Sequence, residues 1–418
     1  MTKRVRISNR IPLEEVMMFM TLFFASSYAL LEHVSVSIPF FSMLKLPLLY
    51  AGAFFLLPYF FRNARNLLLK KYFYIFLSLL LFFALLWMSA LNTRNTRFGS
   101  TAVHYSWRLT LYFIELFSVM IWMAEHGKVD TVIRFLFGYI LVLVIATDVL
   151  LLTKIMTFYN GRFETYLIGN KFTVSYMHMN LLALWFIKNN GRFRLWQKSK
   201  LLTVLAASVV VIVAIYIDCM TGVLGCLALI ALFAALNTPF ERKILRLSSP
   251  GVLVLFLVAS VLFPFISHSI VSVPFVRNLL ENILGRSDTL TGRLNIFDIF
   301  TMRMQGNWLW GFGYGNGNAI AQAIFGYANA QNAVLYWVLQ TGVLATAGLI
   351  LLFLSIFGQL SKCARKAEIM PLAALIYVYI IMGAVETTFS MAFLMWIAVI
   401  FMCVNERYNG PVAKKEVT

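Results

Sequence analysis

The sequence predicts an all-α, polytopic integral membrane protein of about twelve transmembrane helices, with one large extracytoplasmic loop between the ninth and tenth spans. Three observations carry that prediction. Hydrophobic residues fill 61% of the 418 positions and charged residues 12%, and the mean hydropathy is +0.81. Ordinary soluble domains do not have that balance. The apolar residues also fall in continuous runs, each near the roughly 20 residues a helix needs to cross a hydrocarbon core. The runs lack a period of two, which excludes a β-barrel.

In chain order the spans begin near Pro12, Ile38, Tyr72, Val103, Thr131, Phe172, Leu201, Thr221, Pro250, Asn332, Ile369 and Phe389. The Thr221 and Phe389 runs are the least marked. The first run is long, flanked by cations and not followed by a small-residue cleavage site, so it reads as an anchor and not a signal peptide. Residues 1–418 read as a single membrane-embedded domain, and residues 268–331 as its large outer loop.

Orientation follows from basic residues, which collect on cytoplasmic loops. Lys3, Arg4, Arg6 and Arg10, then Arg62, Arg65, Lys70 and Lys71, then Lys188, Arg192, Arg194, Lys198 and Lys200, then Arg242, Lys243 and Arg246, then Lys362, Arg365 and Lys366 fall on alternate loops. The expected location is the inner, cytoplasmic membrane of the cell, with both termini cytoplasmic. The net charge of +18 then serves topology and anionic lipid headgroups, so membrane lipids are expected partners and nucleic acid is not. Cys219, Cys226, Cys363 and Cys403 lack metal-ligand spacing, and no D-x-D pair is present to hold a divalent ion. No metal and no cofactor are expected.

Arginines on the outer side run against the topology rule and need another reason. They are Arg94, Arg97, Arg162, Arg277, Arg286, Arg293 and Arg303, with Arg108 inside the fourth span. Guanidinium is planar, always charged and able to bond two phosphate oxygens, so the cluster points to an anionic substrate. Solvation or snorkelling to lipid headgroups explains a lone loop arginine as well. Arg108 is costly to bury, which marks a site or an internal partner, and Glu115 on the same helix is the candidate partner.

The outer loop carries DTLTGR, then WGFGYGNGN, then AQN before the next span. Asp288 or Thr291 can cap the helical-looking LNIFDIFTMRM segment, with Arg293 in its first turn. Gly311, Gly313, Gly315 and Gly317 permit positive φ and close backbone approach, but the Lys-Ser/Thr of a nucleotide phosphate loop is missing. Upstream, IGNKFTVSYMHMNLLALWF places His178 and Asn180 near the outer end of a span.

These motifs resemble the O-antigen ligase and polysaccharide polymerase superfamily. The residues concerned are Thr291, Gly292 and Arg293; Trp310, Gly311, Gly313 and Gly315; Gln331, Asn332 and Gly342; and His178 with Asn180. The resemblance covers roughly residues 160–360. It implies a polymerase that joins repeat units carried on polyprenyl (undecaprenyl) diphosphate, by inverting glycosyl transfer, in O-antigen, capsule or exopolysaccharide biosynthesis. It implies Arg293 as the diphosphate clamp, Arg108 as second cation and His178 as general base, imidazole titrating nearest neutral pH. Substrate contacts would come from Arg162, Arg286, Arg303, Asp288, Gly313, Gln331, Asn332 and Asn180. The lipid-linked oligosaccharide is the substrate, and a chain-length regulator and a flippase are the protein partners it suggests. Gln331 stands where ligases carry His, which favours the polymerase branch. Asp218 to Gly222 lacks the family's Ser-Arg. An O-antigen ligase is the alternative within the class, and a lipid-linked oligosaccharide flippase or other multi-pass transporter is the alternative outside it.

Overall fold

The computed structural model describes residues 12–67, 72–160, 163–188, 198–236, 238–271, 273–278, 293–327 and 329–409. Five long helices come first: α1 (Leu13–Ser37), α2 (Phe40–Leu67), α3 (Phe73–Thr93), α4 (Ala102–Glu125) and α5 (Val129–Thr153). A short antiparallel hairpin follows, β1 (Phe158–Asn160) with β2 (Phe163–Thr165), in a register that pairs Phe158 with Thr165. Then come α6 (Lys171–Lys188), α7 (Lys198–Tyr216), α8 (Met220–Ala235), α9 (Glu241–Ile244), α10 (Pro250–Val271), α11 (Pro274–Asn278), α12 (Arg293–Arg303), α13 (Gly317–Phe325), α14 (Ala333–Lys362), α15 (Lys366–Met382) and α16 (Met391–Asn409).

Local chemistry sets several of these ends. Glu14 and Glu15 sit in the first turn of α1, where the helix dipole favours negative charge. Pro250 opens α10 at the position where a missing N–H costs nothing. Asn332 caps α14 by accepting from the Leu335 amide at 3.0 Å, and its own amide group donates to Ser260 O at 2.9 Å and Ala384 O at 3.2 Å. Helices α15 and α16 are apolar on all sides, and nearly every side chain from Ile369 to Met382 is buried. A helix of that kind belongs at the centre of the bundle, where α15 touches α6, α8, α10, α14 and α16.

The twelve-span expectation is corrected. Among the described residues seven helices are long and apolar enough to cross a membrane, and three shorter apolar helices cover Leu201–Tyr216, Met220–Ala235 and Met391–Glu406. The runs from Phe172 and Ile369 became α6 and α15, which are not among the seven. A continuous apolar run cannot tell a spanning helix from a shorter one buried on all sides, and here several were the latter.

The inner-membrane placement with both termini cytoplasmic falls with that count. Seven is odd, so seven crossings alone would not return the chain to the side it started from. Of the basic residues that set the orientation, Lys3, Arg4, Arg6, Arg10, Lys70, Lys71, Arg192 and Arg194 lie outside the described residues. The interior is a close-packed helical bundle in which some polar groups pair: His178 meets Asp148 at 3.2 Å and Tyr379 donates to Asn180 at 2.5 Å. Nearer the surface Lys128 pairs with Glu15 at 2.7 Å. Within residues 268–331 the chain forms the end of α10 and the helices α11, α12 and α13; residues 272, 279–292 and 328 lie outside the described set.

The feature that fixes the site is a break in α14. Gly342 has φ 75° and ψ 174°, a conformation no L side chain adopts without strain, and it interrupts the helical hydrogen-bond ladder. The 308–313 segment docks into the gap. Val343 N–H donates to Trp308 O at 2.8 Å, Phe312 N–H to Leu339 O at 3.0 Å and Gly313 N–H to Gln340 O at 2.9 Å. Thus backbone groups freed by the kink are satisfied by a loop and not left bare, as burial requires.

A Cβ at Gly342 would overlap the Leu309 carbonyl. Gly342→Ala should therefore destabilise the fold by about 3 kcal/mol or more. Gly138→Ala, in a helix interior with nothing within 4 Å of the new methyl, should leave stability unchanged or raise it by about 0.5–1 kcal/mol. Thermal unfolding of the two variants checks both signs.

Candidate functional site

The glycine-rich stretch is a docked structural loop before it is anything else. Gly311, Gly313 and Gly315 all have positive φ, at 69°, 118° and 94°. Ser89 on α3 donates to Trp310 O at 2.6 Å, and Gly313 lies against Gly99 in the α3–α4 turn. Asn316 donates its side-chain amide to Phe98 O at 2.6 Å and to Thr101 Oγ1 at 2.7 Å. Gly315 N–H donates to Gln340 Oε1 at 3.1 Å. Tyr314 is buried and stacks on Trp337 with ring centroids 5.5 Å apart. Burial first, then the charges around Tyr28, Glu32 and Tyr336, holds its phenol well above the ordinary tyrosine range, so it stays neutral.

This loop sets the N-terminal turns of α4. The Tyr105 ring lies flat against Gly315, where a Cβ would overlap it. The Arg108 guanidinium lies over the Tyr105 ring, 5.1 Å from its centroid, and touches His104 Nε2 one turn back. The positions i−3 and i−4 on a helix are the ones that reach a side chain in this way. Arg108 Nε is buried and, among the described residues, has no hydrogen-bond partner. The Tyr28 phenol is raised by burial and then by Glu32, while Arg108 lowers it, and Glu32 also acts on Tyr314 and Tyr336. Tyr336 donates to Asn318 Oδ1 at 2.7 Å. Groups from α1, the loop and the start of α14 are thus electrostatically coupled, and Arg108 of α4 acts on Tyr28.

The other sequence-derived residues lie elsewhere. Glu115 is fully buried with Oε2 close against Gly52 of α2; among the described residues neither carboxylate oxygen has a hydrogen-bond partner and no ion pair joins it to Arg108. His178 is 1% exposed; Nδ1 meets Val174 O at 2.8 Å and Nε2 meets Asp148 Oδ2 at 3.2 Å. Neither ring nitrogen is open to a substrate. Asn180 is buried and accepts from Tyr379, and Asn332 is the buried cap of α14. Gln331 precedes it in the left-handed region at φ 51°. Arg303 is exposed at the end of α12. Arg293 opens α12, but its side chain lies outside the described residues, as do Arg162, Arg286 and Asp288.

The polymerase assignment required Arg293, Arg108 and His178 to act on one substrate. Among the described residues no hydrogen bond or ion pair joins Arg108 to His178, and each has its own separate partners. With the twelve-span architecture also gone, the assignment to polysaccharide polymerisation, and with it the ligase and flippase alternatives, is withdrawn. No group of three or more His, Cys, Asp or Glu among the described residues could hold a metal ion. Sequence reasoning passed over Glu32, Tyr28, Tyr105 and Gln340. Only the His104-Tyr105-x-x-Arg108 spacing on one helix face gave a signal for any of them.

No family model, no characterised protein and no solved structure matches the chain. The resemblance to the O-antigen ligase and polymerase superfamily therefore rests on its motif residues alone.

Removing the partner of the buried imidazole should cost stability. Asp148→Ala is expected to lower it by about 1–3 kcal/mol by leaving Nε2 unpaired, read by chemical denaturation, with His178→Ala adding little on top of it.

Proposed function

We propose that the junction of α1, the start of α4 and the glycine-rich loop binds a phosphate-bearing anion, with Arg108 as its cation. The observation that carries this reading is the guanidinium itself. It is held by Tyr105 and His104 on its own helix, yet its Nε edge has no partner. A cation immobilised in advance loses little freedom on binding, and its planar fork matches two phosphate oxygens. The Tyr28 phenol feels the Arg108 charge, and Trp107 presents an exposed ring on the neighbouring face of the same helix. A phosphate or diphosphate carried on an apolar lipid fits that combination of one fixed cation and apolar surroundings.

The test is binding of inorganic diphosphate and farnesyl diphosphate to the purified full-length protein, with chelator present. Arg108→Gln should weaken both by about 10- to 100-fold, the range of a charge-assisted hydrogen bond, and Arg108→Lys should recover part of the loss. Equal affinity in wild type and Arg108→Gln would overturn the proposal.

A further inference from the structure

Glu115 lies on α4 seven residues beyond Arg108, two turns and roughly 10 Å further along the same face of the helix. It is 0% exposed, and among the described residues neither of its carboxylate oxygens has a hydrogen-bond partner. A glycine makes its place: a Cβ on Gly52 of α2 would lie 2.5 Å from Oε2. Enclosing a charged carboxylate in this way is far costlier than enclosing the neutral acid, so the group takes up a proton. Burial pushes the carboxyl up to about 9, with the nearby Ala53 amide pulling the other way.

Helix α4 packs against α1, α2, α3, α5 and α16. From α1 come Tyr28 and Glu32. The Tyr28 phenol is raised by burial first and then by Glu32, is lowered by Arg108 and is raised again by Glu115. Its ring lies 5.2 Å from that of Tyr112 on α4, whose phenol is raised by burial and then by Tyr28, Glu32 and Glu115. Both phenols therefore stay neutral. Helix α2 carries Lys45 and Tyr59, each two turns from Gly52. Helix α5 brings Tyr139, which donates to Ser27, and Asp148, which pairs with His178. Residues 76–92 of α3 and 391–402 of α16 carry no titratable side chain. Tyr28 thus feels the cation and the acid of the shared α4 face at once.

We infer that Glu115 is a proton-binding site linked to the anion site at Arg108: a proton on Glu115 strengthens anion binding, and a bound anion strengthens the hold on that proton. The inference rests on the reading of Arg108 as an anion site and adds a second ligand to it. The link is charge. A carboxylate roughly 10 Å from a bound anion, across an interior of effective dielectric ~20, weakens its binding by roughly tenfold per unit charge. Linkage makes the effect reciprocal. Below about 9 the acid is neutral and Arg108 keeps its full attraction for an anion; above it the carboxylate offsets part of that attraction.

Infrared spectroscopy and anion binding on the purified full-length protein test the two halves. At neutral pH the wild type should show the carbonyl band of a protonated carboxyl, fading as pH rises through about 9 and missing in Glu115→Gln. Saturating inorganic diphosphate should move that fading about one pH unit higher, a reading that needs no variant to fold. Diphosphate should bind wild type and Glu115→Gln equally at neutral pH, and about 5-fold more weakly to wild type one pH unit above the fading point. The titration of diphosphate itself cancels from that ratio. A missing band, a band that diphosphate does not move, or equal affinities at both pH values would overturn the inference and leave the Arg108 reading standing. No diphosphate binding by the wild type at neutral pH would end the Arg108 reading and the linkage with it.

Discussion

The site depends on a helix that is broken and repaired. At Gly342 the backbone of α14 leaves helical geometry, and the amide and carbonyl groups that would have bonded each other turn to a different part of the chain. Residues 308–313 supply the partners, with three backbone hydrogen bonds of 2.8 to 3.0 Å. Buried backbone groups without partners would cost more than the kink could tolerate, so the break and the loop require each other. Gln340, next to the break, adds the bond to Gly315 that carries the ordering one step further.

From that joint the order passes outward through contacts that a side chain would block. Gly313 rests on Gly99, Gly315 rests on the Tyr105 ring, and Tyr105 lies under the Arg108 guanidinium. Each glycine is required for a different close approach, and positive φ at each makes replacement doubly unfavourable. The result is a cation whose position is set by backbone geometry more than 200 residues away in sequence. Rigid placement of this kind is what a binding site needs if ordering is not to be charged against affinity. Elsewhere Ser37 of α1 and Gly169 fix Tyr166 in the same way, both through its backbone.

The sequence shows some of this directly. The apolar runs from Tyr72, Thr131 and Pro250 correspond to α3, α5 and α10 within two residues. Run length could not separate long helices from short buried ones such as α15, because side-chain composition reports burial and not what surrounds it. Trp310, Gly311, Gly313 and Gly342 stand out as a pattern in the sequence, but that the first three close a break at the fourth is a fact of tertiary pairing. Asp148, which looks like an isolated charge, finds His178 across 30 residues. Arg108 is conspicuous from the cost of burying it, while Glu32 and Tyr28 are ordinary residues until the fold couples their charges.

Amide hydrogen exchange resolved to the 308–317 and 335–346 segments tests the central claim most directly. If the loop and the broken helix form one joint, the amides of Phe312, Gly313 and Val343 exchange slowly and together, at rates like those of the α14 core. Rapid exchange at Phe312 and Gly313 beside a protected Leu339 to Thr346 segment would show that the loop is not docked. The account of how Arg108 is positioned would then be contradicted.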